Sequence, residues 1–177
     1  MIIVLNGPLG IGKSTLAEAL AERIDRCVML DGDHLVAANP PADDEREHLH
    51  STIALLVEHH RGFGYRHFVI DHLCRSTEEL ADLRRRLVDH DPDIRCFLLT
   101  LPADENLRRI GRRAAARAID ERDFEQRTFA EEHVLLTSDA AAELGEPFDV
   151  SAPVPELVAA MLHRLGLADP EDRPSNT

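Results

Sequence analysis

Gly7-Pro8-Leu9-Gly10-Ile11-Gly12-Lys13-Ser14 decides the reading of this chain, because the spacing G-x-x-x-x-G-K-[ST] wraps a backbone loop around an anion. The apolar run Ile2 to Leu5 precedes it and ends at Asn6. Behind it, Leu16, Ala19, Leu20 and Ile24 recur at helical spacing. A strand, a glycine-rich turn and an amphipathic helix are the context such a loop requires. Gly7, Gly10 and Gly12 permit the tight turn and the close approach of backbone to ligand. The N–H groups from Gly10 through Ile11 and Gly12 to Thr15 then converge at a helix N-terminus, where the macrodipole favours negative charge. Lys13 carries a point charge toward β- and γ-phosphates, the Ser14 hydroxyl suits Mg²⁺, and Thr15 reaches the α-phosphate. The expected ligand is ATP with Mg²⁺. Of twenty basic side chains Lys13 is the sole lysine, against nineteen arginines. A planar guanidinium serves badly in so narrow a loop.

Outward from the loop, strand-like and helix-like segments alternate, which predicts an α/β domain with a mostly parallel sheet. Strands are expected at Ile2–Asn6, Cys27–Asp31, His67–Asp71, Ile94–Thr100 and Phe148–Val150. Helices are expected at Lys13–Asp25, Ala42–Arg61, Thr77–Asp89, Ala103–Ala118, Phe124–Leu136 and Pro155–Leu165. Residues 1–167 read as a single domain. Residues 168–177, with two prolines and three acids and no apolar period, read as a disordered tail.

With 177 residues, 44% of them hydrophobic, the chain suffices for one core. Its net charge of −13 argues against a nucleic-acid duplex, which needs a basic surface. No apolar run is long enough for a membrane span, and a cytoplasmic protein, monomer or homodimer, is expected. Cys27, Cys74 and Cys96 lack C-x-x-C spacing and read as reduced structural thiols.

The second strand runs into Leu30-Asp31-Gly32-Asp33-His34-Leu35, two carboxylates at the sheet edge that faces the ligand crevice in parallel α/β folds. One such acid can take the proton of an attacking hydroxyl while the other holds a Mg²⁺-bound water. Asp33 is read as the base and Asp31 as the metal-side partner; the competing reading is a turn in which both acids cap the next segment. The third strand ends Phe68-Val69-Ile70-Asp71-His72, with histidine where water-activating ATPases usually carry glutamate, and no N-K-x-D motif marks a Ras-like GTPase.

These motifs resemble the small P-loop kinases of the nucleoside-monophosphate-kinase fold, which include gluconate and shikimate kinases and chloramphenicol phosphotransferase. Asp31-Gly32-Asp33 resembles the paired acids of the gluconate kinase type. Asp33-His34-Leu35-Val36-Ala37-Ala38-Asn39-Pro40 is similar to the segment around the catalytic aspartate of the chloramphenicol enzyme. The resemblance implies a five-stranded sheet of order 2-3-1-4-5 and Asp33 as base. Arg109-Ile110-Gly111-Arg112-Arg113 resembles the run that opens the family's lid, here residues 114–127, which implies Arg109 stacked on adenine and Arg113 on phosphate. Arg117 or Arg122 would close over the γ-phosphate; the competing reading is a solvated face balanced by Asp104, Glu105, Asp120 and Glu121.

Residues 34–75 should shape the acceptor site, with Asp71 and Arg75 beside Asp33 on the acceptor side. Their few cations favour a neutral or cationic small molecule with a free hydroxyl over a nucleoside monophosphate, whose phosphate needs clustered arginines. The acids Asp43, Asp44, Glu45 and Glu47 are equally the first turn of a helix. His48, His50, His59 and His60 lack the spacing that would put two imidazoles on one helical face for a metal. The leading expectation is ATP-dependent phosphorylation of a small-molecule hydroxyl; a nucleoside-monophosphate kinase and a non-catalytic nucleotide-binding module stand beside it.

Overall fold

The computed structural model describes residues 1–35, 39–114, 128, 130–132, 136 and 139–167. Strand β1 (Ile2–Asn6) is buried at every position, as an apolar run must be when both faces of a parallel sheet are covered. Beside it lie β2 (Cys27–Asp31), β3 (His67–Asp71), β4 (Ile94–Thr100) and β5 (Glu146–Asp149). All neighbours are parallel, in the order β2-β3-β1-β4-β5.

Alternation along β1 divides the core. Ile3 and Leu5 pack with Leu16, Ala17 and Leu20 of α1 (Lys13–Arg23) and with Val158, Met161 and Leu162 of α6 (Val154–Leu165). Ile2 and Val4 face the other way, onto Leu49, Ile53 and Val57 of α3 (Glu45–Gly62) and Leu80, Leu83 and Leu87 of α4 (Thr77–Leu87). The remaining elements are a single turn, α2 (Gly32–Leu35), and α5 (Ala103–Ala114), with a 3-10 turn at Asp139–Glu143 before β5.

Helix starts follow their local chemistry. The Asp44 carboxylate accepts from the Glu47 N–H at 2.9 Å and Ser76 Oγ from the Glu79 N–H at 3.3 Å, each a side-chain cap on an orphan donor. This puts the Asp43–Glu47 acids at the beginning of α3. The sequence reading extends α1, α3 and α4 by two or three residues at one end, since caps rather than apolar period set helix limits. It also places the last strand two residues late. β5 starts at Glu146 because Gly145, at φ 145°, lets the chain pass so close to β4 that a Cβ would stand 2.8 Å from the Leu98 nitrogen. Most of the expected helix Phe124–Leu136, the lid and the tail fall outside the described residues.

The three cysteines are free thiols. Burial raises all three above the usual thiol range, Cys27 to about 12, so they persist as protonated packing groups. No helix of the described residues is long and apolar enough to cross a membrane.

Candidate active site

The strand order reverses beside β1, and a crevice opens there at the carboxyl edge of the sheet. The loop between β1 and α1 fills its centre. Gly10 and Gly12 take φ values of 77° and 104°, which L side chains rarely adopt. A Cβ on Gly10 would come within 2.4 Å of Ile110 on α5, whereas the Cβ side of Gly12 is open for 4 Å. The loop is packed from behind and bare in front, the shape an anion requires.

Buried polar groups hold the loop. Asn6 Oδ1 accepts from the N–H groups of Gly7 and Cys74 at 2.9 and 3.0 Å, and its amide donates to the carbonyls of Cys74 and Leu144 at 3.2 and 3.3 Å. Leu9 is clamped twice. Its N–H donates to Glu132 at 2.7 Å and its carbonyl accepts from Asn106 at 3.3 Å. None of these three was a sequence candidate. Asn6 alone carries a local signal, a polar residue closing an apolar strand in front of a glycine.

At the start of α1 the Lys13 ammonium reaches the Gly7 carbonyl at 3.0 Å, and Ser14 Oγ donates to Asp71 Oδ2 at 2.5 Å. Asp71 Oδ1 is 3.9 Å from the ammonium. Burial raises the Asp71 pKa, against the opposing pull of Lys13 and the Ser14 hydrogen bond. The hydroxyl and the carboxylate are hard oxygen donors that fit Mg²⁺, and the ammonium beside them, beneath the anion loop, fits the phosphate chain such an ion accompanies. Ser14 and Asp71 are the residues placed to hold that ion, directly or through water.

The two strand-end acids therefore stand differently from the sequence expectation. Asp71, expected with the acceptor, faces Ser14 and Lys13. Asp31, expected at the metal, accepts from the backbone N–H groups of Asp33 and His34 at 3.0 and 3.3 Å and pairs with the His34 ring at 3.0 Å. Its carboxylate caps α2, the turn that presents Asp33. Asp33 itself is exposed.

Beyond Asp33 lies a cleft of about 400 Å³, lined among the described residues by Lys13, Gly32, Asp33, Arg46, His72 and Arg75, and by Glu45, Glu79 and Glu132. Arg75 is held 3.6 Å from Glu132, and its backbone N–H donates to Glu79 at 2.6 Å. His72 was noted from sequence only for the glutamate it replaces. The ring is half-buried where it lines the cleft, and desolvation, followed by His50, Lys13 and Arg75, lowers its pKa to about 3.

On the far side of the loop a second cavity of about 480 Å³ is bounded by Gly10, Gly12, Thr15, Arg109 and the segment from Val150 to Val154. Arg109 donates to the carbonyls of Ile11 and Val150 at 3.4 and 3.0 Å and to Glu105 at 3.3 Å. Its guanidinium is thereby fixed over the cavity, although it packs there against protein carbonyls. Arg117, Arg122 and the side chain of Arg113 lie outside the described residues. Among the described residues no three His, Cys, Asp or Glu side chains cluster as a metal site.

Loop, sheet order and paired cavities define a P-loop nucleotide-binding domain of the kinase type. A family model described as an AAA domain matches residues 2–144, and the chain belongs to that family. Comparison with curated proteins finds no match. Similar solved structures include the tunicamycin resistance protein of Deinococcus radiodurans, with 19% identity over 95% of this chain and 96% of that one and a TM-score of 0.66. A gluconokinase from Sinorhizobium meliloti 1021 is 21% identical over 92% and 91%, with a TM-score of 0.60. A shikimate kinase from Bacteroides thetaiotaomicron is 16% identical over 94% and 99%, with a TM-score of 0.62. At these identities the likeness is one of fold.

Proposed function

We propose that this protein transfers the γ-phosphate of ATP to a hydroxyl of a small molecule in the cytoplasm, with Asp33 as general base. The observation that carries this is one cleft lined by both Lys13 and Asp33, with Ser14 and Asp71 next to Lys13. Adenine fits the second cavity against Arg109, and the triphosphate crosses the loop toward the cleft. Bound Mg²⁺ would neutralise charge on the phosphate oxygens. Lys13 leaves its loop carbonyls for the β- and γ-phosphates. Asp33 accepts the acceptor's proton as the new oxygen–phosphorus bond forms and the bond from γ-phosphorus to the bridging oxygen breaks, releasing ADP. Asp31 holds Asp33 in place through the α2 cap.

The cleft's acids also bear on the acceptor. Among the described residues, four carboxylates, Asp33, Glu45, Glu79 and Glu132, line the cleft with Arg46 and Arg75 once Lys13 is assigned to ATP. Arg75 is already beside Glu132. This balance favours an uncharged hydroxyl compound over a nucleoside monophosphate.

The test is ADP release across a library of sugars, polyols, nucleosides and hydroxylated antibiotics, repeated with Asp33→Asn. Acceptor-dependent turnover should fall at least ~100-fold in the variant while ATP affinity stays within about twofold. Unchanged turnover would remove Asp33 from the chemistry.

A further inference from the structure

Glu132 meets the anion loop and the acceptor cleft with one carboxylate. Its Oε2 accepts from the Leu9 N–H at 2.7 Å, while Oε1 stands 3.6 Å from Nη2 of Arg75. The two members of that ion pair differ in freedom. The Glu132 side chain is 8% exposed and tied to the loop backbone, whereas that of Arg75 is 59% exposed. Arg75 is anchored at its base, where its backbone N–H donates to Glu79 at 2.6 Å just before Ser76 caps α4. A fixed acid thus stands within reach of a solvent-exposed arm, and both line the cleft that holds Asp33.

Ion pairs between two exposed side chains contribute little, because water replaces each partner. A pair with one buried member behaves otherwise. Removing the guanidinium leaves a desolvated carboxylate that keeps, among the described residues, only the Leu9 N–H as donor. An anionic acceptor has to draw Arg75 away from Glu132 and then lie beside that uncompensated charge, with Asp33, Glu45 and Glu79 also lining the cleft. An uncharged acceptor disturbs none of this. Arg46, the other arginine of the cleft among the described residues, sits in the first turn of α3 beside Glu45, so its charge is offset along the same wall.

We infer that Glu132 is the specificity-determining residue of the acceptor cleft: by holding Arg75 it excludes acceptors that carry a carboxylate or a phosphate and admits uncharged hydroxyl compounds. The same side chain keeps Leu9 in place, so the selection by charge resides in a residue that the loop already uses. This rests on the phosphotransferase reading above and deepens it.

Glu132→Gln isolates the selection. The glutamine carbonyl oxygen can still accept from the Leu9 N–H, while the amide has no charge for Arg75. The probes are two pairs that differ chiefly in charge, D-gluconate with D-glucitol and shikimate with its methyl ester. Binding is read by calorimetry on the full chain with ADP and Mg²⁺ present, and turnover by ADP release from ATP. In Glu132→Gln the affinity ratio of each charged probe to its uncharged partner should rise about tenfold over the parent's. Arg75→Ala alone should show no such rise, and adding it to Glu132→Gln should erase the gain. ATP affinity should fall less in Glu132→Gln than in Glu132→Ala, which lacks the Leu9 contact.

Charge ratios in Glu132→Gln equal to the parent's, a gain that survives Arg75→Ala, or ATP affinities that are the same in the glutamine and alanine variants would each overturn the assignment. Absence of ADP release from every hydroxyl compound overturns the phosphotransferase reading instead, while the binding ratios still report on Glu132, so the two failures are distinct.

Discussion

Acid should destabilise this protein through His72, and the size of the effect follows from its surroundings. Its folded-state pKa is lowered from 6.5 to about 3, first by burial and then by His50, Lys13 and Arg75. Between those two values the unfolded chain binds a proton that the folded chain refuses, so stability is retained above 6.5 and declines as pH falls toward 3. The limiting slope is about 1.4 kcal/mol per pH unit, and integration from pH 7.5 to pH 5 gives about 2 kcal/mol from this one ring. Other groups titrate too, but they are common to the parent and to His72→Gln, so the difference between the two isolates the ring. In urea melts run with EDTA, the midpoint gap between the proteins should move by about 1 M between those pH values, for a slope near 2 kcal/mol/M. A gap that does not change with pH would mean that the ring is solvated, and the reasoning for its half-buried, neutral state would fail.

Asp71→Asn should abolish acceptor-dependent ADP release yet leave the apo protein at least as stable as the parent near neutral pH. Burial raises the Asp71 pKa, so the folded state holds its proton more tightly and stability falls as pH climbs from the unfolded value through the folded one; a drop in Tm at pH 7.5 would contradict this. Arg109→Ala should weaken ATP binding roughly 3- to 30-fold, the range for a lost cation–π contact, with kcat within about twofold. Calorimetric titration reads the first, and unchanged affinity would take Arg109 out of the adenine cavity. Gly10→Ala places a Cβ at 2.4 Å from Ile110 at a φ of 77°, so it should cost about 2–4 kcal/mol from overpacking and strain. A urea midpoint equal to the parent's would show that α5 does not back the loop.

The anion loop, the parallel sheet and the helix on either side of each strand are readable in the sequence because each depends on residues within a few positions of one another. Glycine spacing, an apolar strand and a 3.6-residue period are local properties, and Gly7 to Thr15 hold them all. Histidine at position 50 was legible in part, since it shares the buried stripe of α3 with Leu49, Ile53 and Val57. Its partner was not. Which acid meets Ser14 is set by a contact across 57 positions, and the register that lays Asp31 beside Asp71 gives both the same sequence signature, an acid at a strand end. The turn α2 then draws the Asp31 carboxylate onto its own N–H groups, leaving Asp71 for the loop.

By itself, then, the sequence determined that a phosphate cradle sits at the edge of a parallel sheet with acids nearby. Tertiary structure alone decided which acid faces the cradle, that Asn6, Asn106 and Glu132 hold it, and that Asp82 and His50 stand behind His72. The physical reason is direction: local periodicity tells which face of an element a side chain occupies, but hydrogen bonds between elements depend on register and approach, which only the packed core fixes.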